Sequence, residues 1–205
     1  MAIASPPNAT VQFAYEPPRR KWTVAEFERF IDLCVFGPEE KLELVEGEIV
    51  QKMTQNAPHV TAILKVNAAL VRAFAADHHV RQQAPLNFGA ESGNRPEPDV
   101  AVIYGTIDEF AAQLPRTAAL VVEVSDSTLR FDRQTKSRMY AGAGIQEYWI
   151  VNIVDRQLEV FRQPVAPFGE PSGHTYLEVV LYTEEQMVSA LSAPDIAIRV
   201  ADLLP

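Results

Sequence analysis

The sequence predicts one α/β domain, and three observations support this prediction. The chain has 205 residues, 47% of them apolar, which is enough for one domain with a substantial core. Residues 118–154 read as a strand, a helix and a second strand, which is the order of a crossover between parallel strands. Hairpin-like segments before and after this unit predict further strands in the same domain.

Residues 1–21 open the chain and are rich in proline, alanine and asparagine, without a periodic pattern. We expect a flexible tail there and assign residues 22–205 to a single domain. Thr23 and Glu26 form a capping box that predicts the first helix, which we expect to end near Gly37.

Cys34, the single cysteine, lies on the apolar stripe of this helix, and we expect it in the core. One cysteine excludes a disulfide framework and a cysteine-rich zinc site, and it favours a reducing, cytoplasmic compartment. No apolar run approaches the ~20 residues of a membrane span, and the N-terminus lacks the features of a signal peptide. We therefore expect a soluble protein that is not exported.

Residues 41–53 predict a β-hairpin that turns at Glu46–Gly47, where glycine can adopt a positive φ. Its glutamates are expected to face water, unless another feature of the fold directs Glu43 inward. A long helix follows, which is expected to begin at Asn56–Pro58 and to continue to about Asp77.

His59 lies in the first turn of this long helix, and two interpretations of it remain open. It can donate a hydrogen bond to a substrate or a phosphate, or it can be an ordinary surface or capping residue near a helix end. His78 and His79, at the far end of the same pattern, are typical of a helix terminus and lack the spacing of a metal site.

Two acidic residues stand on neighbouring predicted strands. Asp99 precedes the β-branched run Val100–Tyr104, and Glu123 lies within the apolar run 118–124, where an isolated carboxylate has to be paired or neutralised. Because the two runs are expected to pair, both carboxylates would emerge from the centre of the sheet. Asp99 alone is equally consistent with a turn residue at a strand start, but its combination with Glu123 favours a site.

The helix between the two strands of the crossover is expected to be capped by Asp132. Lys136 lies on the apolar stripe of this helix together with Met139 and Tyr140. The pattern therefore directs the lysine toward the strand that carries Glu123.

Strand patterns continue after this helix. Residues 147–154 predict an aromatic and β-branched strand, whose Tyr148 and Trp149 are expected to belong to the core. Further strands or packing segments are predicted at residues 157–162, 174–183, 187–191 and 196–200.

The formal net charge is −9, from 27 acidic and 18 basic residues. This balance argues against a surface that coats nucleic acid, because nonspecific affinity comes from lysines and arginines that neutralise phosphates. One local basic cluster consists of Arg130, Arg133, Lys136 and Arg138. It is consistent with a phosphate-binding patch, but it is more typical of a solvated helix face on which Asp132 and Lys136 form an ordinary i,i+4 pair.

An aspartate, a glutamate and a lysine that converge at strand ends provide the groups needed for metal-dependent cleavage of a phosphodiester. Mg²⁺ takes carboxylate oxygens as ligands and retains waters, one of which can attack the phosphate. The ion and the lysine stabilise the negative charge that grows on the phosphate. Because the ion supplies positive charge at the point of reaction, the acidic composition does not exclude a nucleic-acid substrate.

From about Trp22 to Arg162, the sequence resembles the PD-(D/E)xK nuclease superfamily and, within it, the Uma2 (DUF820-like) family of restriction endonucleases. The resemblance rests on the motifs LELVEGEIV, PEPDVAV, VVEVSDST and DRQTKSRMYAGAGIQEYWIVN, in this order. It implies a restriction-endonuclease-like core, that is, a mixed sheet with flanking helices and peripheral β-hairpins. It also implies an endonuclease with Mg²⁺ or Mn²⁺ as cofactor and DNA as substrate.

The resemblance assigns Asp99 and Glu123 as metal ligands, Lys136 as the catalytic lysine and Glu43 as an additional acidic residue of the site. The wider superfamily has a lysine two residues after the glutamate, where this chain has Ser125. Lys136 would therefore reach back from the following helix, and its position on the inward stripe agrees with that arrangement.

Three hypotheses of function remain open. In the first, the protein is a Mg²⁺- or Mn²⁺-dependent DNA endonuclease in which Lys136 orients or activates the attacking water, while His59 and Arg133 contact the substrate. In the second, the nuclease-like fold is a binding or regulatory module, for example a homodimer, with a vestigial cluster of carboxylates. In the third, the same site hydrolyses RNA or another phosphodiester.

Overall fold

The computed structural model describes residues 18–74, 77–166 and 173–205 of the chain. The tail predicted at residues 1–21 lies outside these ranges except for residues 18–21, so the flexibility expected there stays a prediction. Within the described ranges, no helix combines the length and the apolar character needed to cross a membrane.

The described chain combines helices with runs of strands, and a two-stranded hairpin lies near either end. In chain order they are α1 (Val24–Asp32), β1 (Leu42–Val45), β2 (Glu48–Gln51), α2 (Ala57–Ala73), β3 (His78–Gln82), β4 (Val100–Tyr104), β5 (Leu120–Ser125), α3 (Leu129–Phe131), α4 (Ser137–Gly142), β6 (Glu147–Asn152), β7 (Gln157–Val165), β8 (Thr175–Thr183), β9 (Met187–Ala190) and β10 (Ala193–Arg199). A π-helical turn, Asp132–Lys136, joins α3 to α4.

A six-stranded sheet with the order β3-β4-β5-β6-β7-β8 forms the centre of the fold. Strands β5 and β6 run parallel, and the other neighbouring pairs are antiparallel. The helical segment from α3 to α4 makes the crossover between the two parallel strands, as the sequence predicts. The mixed sheet with its flanking helices and hairpins confirms the predicted fold class.

Alternating side chains of the sheet fill two apolar layers, one on each face. Trp149 lies in the layer that α2 and the β9–β10 hairpin cover, whereas Tyr148 lies in the layer that includes residues of α4. Both rings are fully buried, so the prediction that they belong to the core is confirmed. Strand β5 is buried along its whole length, so a charged residue within it needs partners inside the protein.

Helix α1 and the β1–β2 hairpin form a smaller cluster of their own. Thr23 and Glu26 make the predicted capping box, and Gly47 has the positive φ (+75°) that the predicted turn requires. Cys34 is exposed, so the prediction that it lies in the core is wrong. Because α1 ends at Asp32, Cys34 falls in the turn beyond it, with φ +52°, and no longer continues the apolar stripe.

Helix α2 also ends earlier than predicted. Its last residue is Ala73 rather than a residue near Asp77, because Phe74 already has an extended conformation. His78 and His79 belong to strand β3, so their interpretation as a helix terminus is wrong.

Candidate active site

A pocket of about 280 Å³ opens near the carboxyl end of β5, between the β1–β2 hairpin, the start of α2 and the π-helical turn. Carboxylates outnumber cationic side chains in its walls. The acidic residues are Glu43, Asp99, Glu123, Asp126 and Asp132, and the basic ones are Lys52, His59 and Lys136. The pocket thus collects most of the residues that the sequence singles out, although they are widely separated along the chain.

Asp99 and Glu123 are brought together by the antiparallel pairing of β4 with β5. Val100 is paired with Val122, and continuing this register places Asp99 opposite Glu123. The backbone N–H of Asp99 donates to Glu123 Oε2 at 3.4 Å, and the backbone N–H of Val124 donates to Asp99 Oδ2 at 2.9 Å. Both side chains are buried, so the two carboxylates share one interior position at the centre of the sheet.

Lys136 reaches the same position from the crossover. Its Nζ donates to Glu123 Oε1 at 2.8 Å and lies 3.3 Å from Glu43 Oε1, and the residue is only 5% exposed. Tyr140, one turn later, donates its hydroxyl to the same Glu123 oxygen at 2.7 Å. The inward stripe predicted for Lys136 and Tyr140 is confirmed.

The local helix differs from the prediction at Asp132. The crossover helix begins at Leu129, so Asp132 lies inside the π-helical turn and is not the cap. Asp132 and Lys136 are both buried, and the interpretation of this pair as part of a solvated helix face is therefore wrong. Thr128 donates to Asp132 Oδ2 at 2.6 Å and provides the hydrogen bond that a buried carboxylate requires.

Glu43 points inward, although the default for a hairpin glutamate is to face water. It is 3% exposed, and its Oε2 accepts a hydrogen bond from the backbone N–H of Glu97 at 3.1 Å. Its other oxygen lies against Lys136. Lys136 is therefore held between two buried glutamates, Glu43 and Glu123.

The charges of this cluster shift one another's proton affinities. Burial raises the pKa of the Glu123 carboxyl to about 7; the charge of Lys136 opposes this rise, and the carboxylates of Asp99, Asp132 and Glu43 add to it. Burial alone would lower the pKa of Lys136, but the carboxylates of Glu123 and Glu43 outweigh burial and raise it above its ordinary value. Lys136 therefore stays protonated, whereas Glu123 can change its charge near neutral pH.

His59 lies over Asp99 at the open side of the cluster. The N-cap residue Asn56 accepts the backbone N–H of His59, and this fixes the first turn of α2 beside the pocket. Nε2 of His59 is 3.5 Å from Asp99 Oδ2, and its Nδ1 is 4.0 Å from Asp126 Oδ1. Burial works to lower the pKa of His59, but contact with Asp99 and the charges of Asp126 and Glu123 raise it. Of the two open interpretations, the geometry favours a residue of the site.

Lys52 is a pocket residue that the sequence interpretation missed. Its Nζ donates to the carbonyl of Glu97 at 2.7 Å, and its charge helps to hold the pKa of Asp99 below the ordinary value against the effect of burial. Strand alternation in the predicted hairpin could have placed Lys52 on the same face as Glu43. Glu43 is paired with Val50, and alternation along the strand places Lys52 on the same side as Val50.

Arg133 does not line the pocket. Its guanidinium donates to both carboxylate oxygens of the buried Glu159, at 2.8 and 2.7 Å. Arg138 forms a similar two-point contact with Glu46, at 2.7 Å for each bond. Arg130 donates to the side-chain carbonyl of Gln134. The members of the basic cluster therefore have separate partners, and only Lys136 enters the pocket.

The carboxylates of the pocket can be compared with the needs of a divalent cation. The described residues contain no group of three or more His, Cys, Asp or Glu side chains placed to hold a metal. Mg²⁺, however, is commonly bound through one or two carboxylates and completes its coordination with waters and substrate phosphates. Asp99 and Glu123 supply such oxygens, and the carboxylates that line the pocket outnumber its basic side chains. The residues present fit a Mg²⁺-type ion.

Comparisons with known proteins agree with the fold. The family model Uma2, described as "Putative restriction endonuclease", matches residues 26–201. A search of curated proteins finds no match. Among solved structures, the crystal structure of "a putative nuclease belonging to DUF820" from Anabaena variabilis is similar with a TM-score of 0.64 and 17% sequence identity, over 88% of this chain and 96% of that one.

Proposed function

The chain belongs to the Uma2 family, and from the charges that converge in its pocket we propose that it is a metal-dependent DNA endonuclease. One observation carries the proposal. A protonated lysine, Lys136, is held at 2.8 Å from a buried glutamate that lies beside a buried aspartate, at the floor of an open pocket. A buried cluster of charges contributes little to net stability, so its presence at a pocket favours a chemical role.

In this proposal, Asp99 and Glu123 hold the metal ion. When bound, Mg²⁺ or Mn²⁺ supplies Lewis-acid polarisation of the phosphate and lowers the pKa of a bound water. Hydrogen bonds to Asp99 from the N–H of Val124 and to Glu123 from Tyr140 fix the orientation of the two carboxylates.

Lys136 acts as a positively charged hydrogen-bond donor. The neighbouring carboxylates raise its pKa, so it keeps its proton and is unsuited to remove one from water. Its ammonium group instead orients the attacking water or stabilises the charge that develops on the phosphate. Glu43 positions Lys136 as its second carboxylate partner, with Oε1 at 3.3 Å from Nζ.

His59 and Arg133 are proposed to contact the substrate. His59 stands at the open side of Asp99, where a protonated imidazole can donate to a phosphate oxygen. Arg133 is half-exposed beyond the pocket and would contact the DNA backbone while it remains paired with Glu159. Because the chain has a net charge of −9, we expect DNA binding to depend on the positive charge of the metal ion. We propose a cytoplasmic enzyme.

One observation favours the alternative of a catalytically silent binding or regulatory module. The carboxylate oxygens of the site already have donors within the chain: Lys136 and Tyr140 for Glu123, and the Val124 N–H for Asp99. These hydrogen bonds hold the two carboxylates in place without a metal ion, and a protein with only a structural role would also have this arrangement.

The test is cleavage of supercoiled plasmid by the purified protein in Mg²⁺, Mn²⁺ or EDTA. Glu123→Gln and Lys136→Met are compared with Glu185→Gln and Lys41→Met, which change the same residue types at exposed positions outside the pocket. We expect metal-dependent nicking by the wild type and by both surface variants, and at least a hundredfold loss in both pocket variants.

Circular dichroism confirms that each variant is folded before its activity is compared. Absence of nicking by a folded wild-type protein in either metal rules out the endonuclease and favours the binding module. A single-stranded RNA substrate assayed in parallel distinguishes the two nucleic acids, since cleavage of RNA alone would assign the site to a ribonuclease.

A further inference from the structure

Strand β8 forms one edge of the central sheet and carries an exposed apolar row. Within the described residues its outer edge is paired with no strand. Leu177, Val179 and Leu181 recur at every second position and are 67%, 51% and 56% exposed. These side chains are not part of either apolar layer of the monomer core.

An edge of this kind is unusual for an isolated subunit. Natural sheets protect their edges with short strands, lysines, prolines or bulges, because open backbone groups invite pairing with another chain. Strand β8 has nine residues, contains neither lysine nor proline, and has Glu178 as its one charged residue. The opposite edge, β3, is shorter, with five residues, and includes Arg81 and two histidines.

The sequence of β8 is nearly symmetric about its centre. It reads TYLEVVLYT, and reversal exchanges only Glu178 with Val180. In an antiparallel pair of two such strands centred on Val179, threonine would lie opposite threonine, tyrosine opposite tyrosine and leucine opposite leucine. A twofold interface requires a self-complementary patch, and this strand has that property in its sequence.

We propose that a second copy of the chain pairs with this edge, so that the two β8 strands form an antiparallel ladder about a twofold axis at Val179. Two six-stranded sheets then become one continuous sheet. Leu177 lies opposite Leu181 of the partner subunit, and the exposed row becomes a line of cross-strand apolar pairs. Glu178 lies opposite Val180 of the partner subunit, so no two like charges face each other directly.

Backbone and side-chain groups both stabilise this ladder. Nine paired residues form about eight to ten backbone hydrogen bonds across an antiparallel pair, which satisfies the open edge. The apolar cross-strand pairs add stabilisation beyond what alanine pairs would give.

The dimer is independent of the proposed nuclease chemistry. In the joined sheet, the two β5 strands are seven strand spacings apart, roughly 34 Å at about 4.8 Å per spacing. Each pocket is then complete within its own subunit. Loss of the dimer is therefore expected to leave metal binding at the pocket unchanged, and failure of either proposal can be recognised separately.

The first experiment measures molar mass by sedimentation equilibrium across a dilution series of the full chain. We expect a dimer for the wild type and a monomer for Val179→Lys, which would place two ammonium groups together at the twofold axis. Ile107→Lys is the matched control, because Ile107 is 72% exposed in a loop outside this edge, and it should remain dimeric. A monomeric wild type, open-ended oligomers, or a folded Val179→Lys protein that is still dimeric would each overturn the proposal.

The second experiment tests the register and does not require the lysine variant to fold. In a Cys34→Ser background, Val179→Cys should form an intermolecular disulfide under mild oxidation, because residues directly opposite have Cβ atoms about 4.5–5.5 Å apart. Leu177→Cys alone should crosslink far less, since its two copies would lie roughly 13 Å apart along the ladder. A mixture of Leu177→Cys and Leu181→Cys proteins should crosslink to each other. Equal crosslinking of Val179→Cys and Leu177→Cys alone would exclude this register.

Discussion

Replacement of Lys136 by methionine removes the positive charge from the centre of the buried cluster. Methionine has a similar length and fills the space of the lysine stem, so the change isolates the ammonium group from its packing. Glu123 and Glu43 would then lie close together in the interior, without the cation that stands 2.8 and 3.3 Å from them.

Breaking a buried ion pair by removing one partner costs about 3–5 kcal/mol, because the remaining charge stays in the interior without compensation. Glu123 can avoid this cost only by binding a proton. Its pKa is about 7 with the lysine present, against 4.5 for an ordinary carboxyl, and loss of Lys136 raises it further. The carboxyl of the variant should therefore stay protonated above neutral pH.

This change predicts a difference in pH dependence. Between the unfolded and folded pKa values, the folded protein binds more protons than the unfolded chain, so stability falls as pH rises through that window. For the wild type, the Glu123 contribution should level off above pH about 7. For Lys136→Met, stability should continue to fall above pH 7, by about 1.4 kcal/mol per pH unit.

The measurement is urea denaturation in EDTA from pH 5 to pH 8.5, followed by tryptophan fluorescence, since Trp149 is fully buried. Lys41→Met is the control and should stay within about 0.5 kcal/mol of the wild type at every pH. Adding Glu123→Gln to Lys136→Met should recover part of the loss and remove the extra slope above pH 7. If Lys136→Met matched Lys41→Met across the range, Lys136 would not be the buried counter-ion of Glu123, and the charge argument for the site would fail.

Three further predictions concern the same fold. Mg²⁺ or Mn²⁺ should raise the melting temperature of the wild type in differential scanning calorimetry, because a ligand at a hundredfold excess over Kd stabilises the folded state by about 2.7 kcal/mol. The melting temperature of Glu123→Gln should be the same with and without the metal. Glu147→Ala should cost about 3–5 kcal/mol in urea unfolding, because Glu147 is buried and accepts from Arg162 at 2.6 and 2.9 Å; nicking by the folded fraction should persist. His59→Gln should reduce stability most below pH about 6.5, and the difference from the wild type should disappear as pH rises through the raised pKa of His59; a difference that is constant with pH would contradict the contact with Asp99.

The fold and the centre of the site can be predicted from short-range patterns. The crossover between parallel strands follows from strand, helix and strand signals in one stretch, and the inward position of Lys136 follows from the helical period of 3.6 residues. Asp99 and Glu123 are predicted to be neighbours because their two apolar runs are natural pairing partners. In each case the pattern that predicts the element itself lies within a few residues of the side chain concerned.

The remaining features depend on contacts between distant segments. Glu43 is buried because the Glu97 N–H, 54 residues later, and the ammonium group of Lys136 satisfy its carboxylate, and no local pattern contains that information. The apolar stripe of the first helix continues to Cys34 and so predicts a core position, but the helix ends before it. Asp132 resembles a helix cap in sequence, whereas the structure buries it one turn before Lys136.

The π-helical turn connects these observations to the proposed chemistry. Such turns are rare and are frequently found at functional sites, because they widen a helix and redirect its side chains. Here the turn spans Asp132–Lys136, and both of its end residues are buried in the walls of the pocket. The fold thus accepts an irregular helix and a desolvated lysine at the same place. An apolar side chain at Lys136, matched by apolar partners, would serve folding equally well or better, so the positive charge at this position supports the proposal that a phosphate enters the pocket.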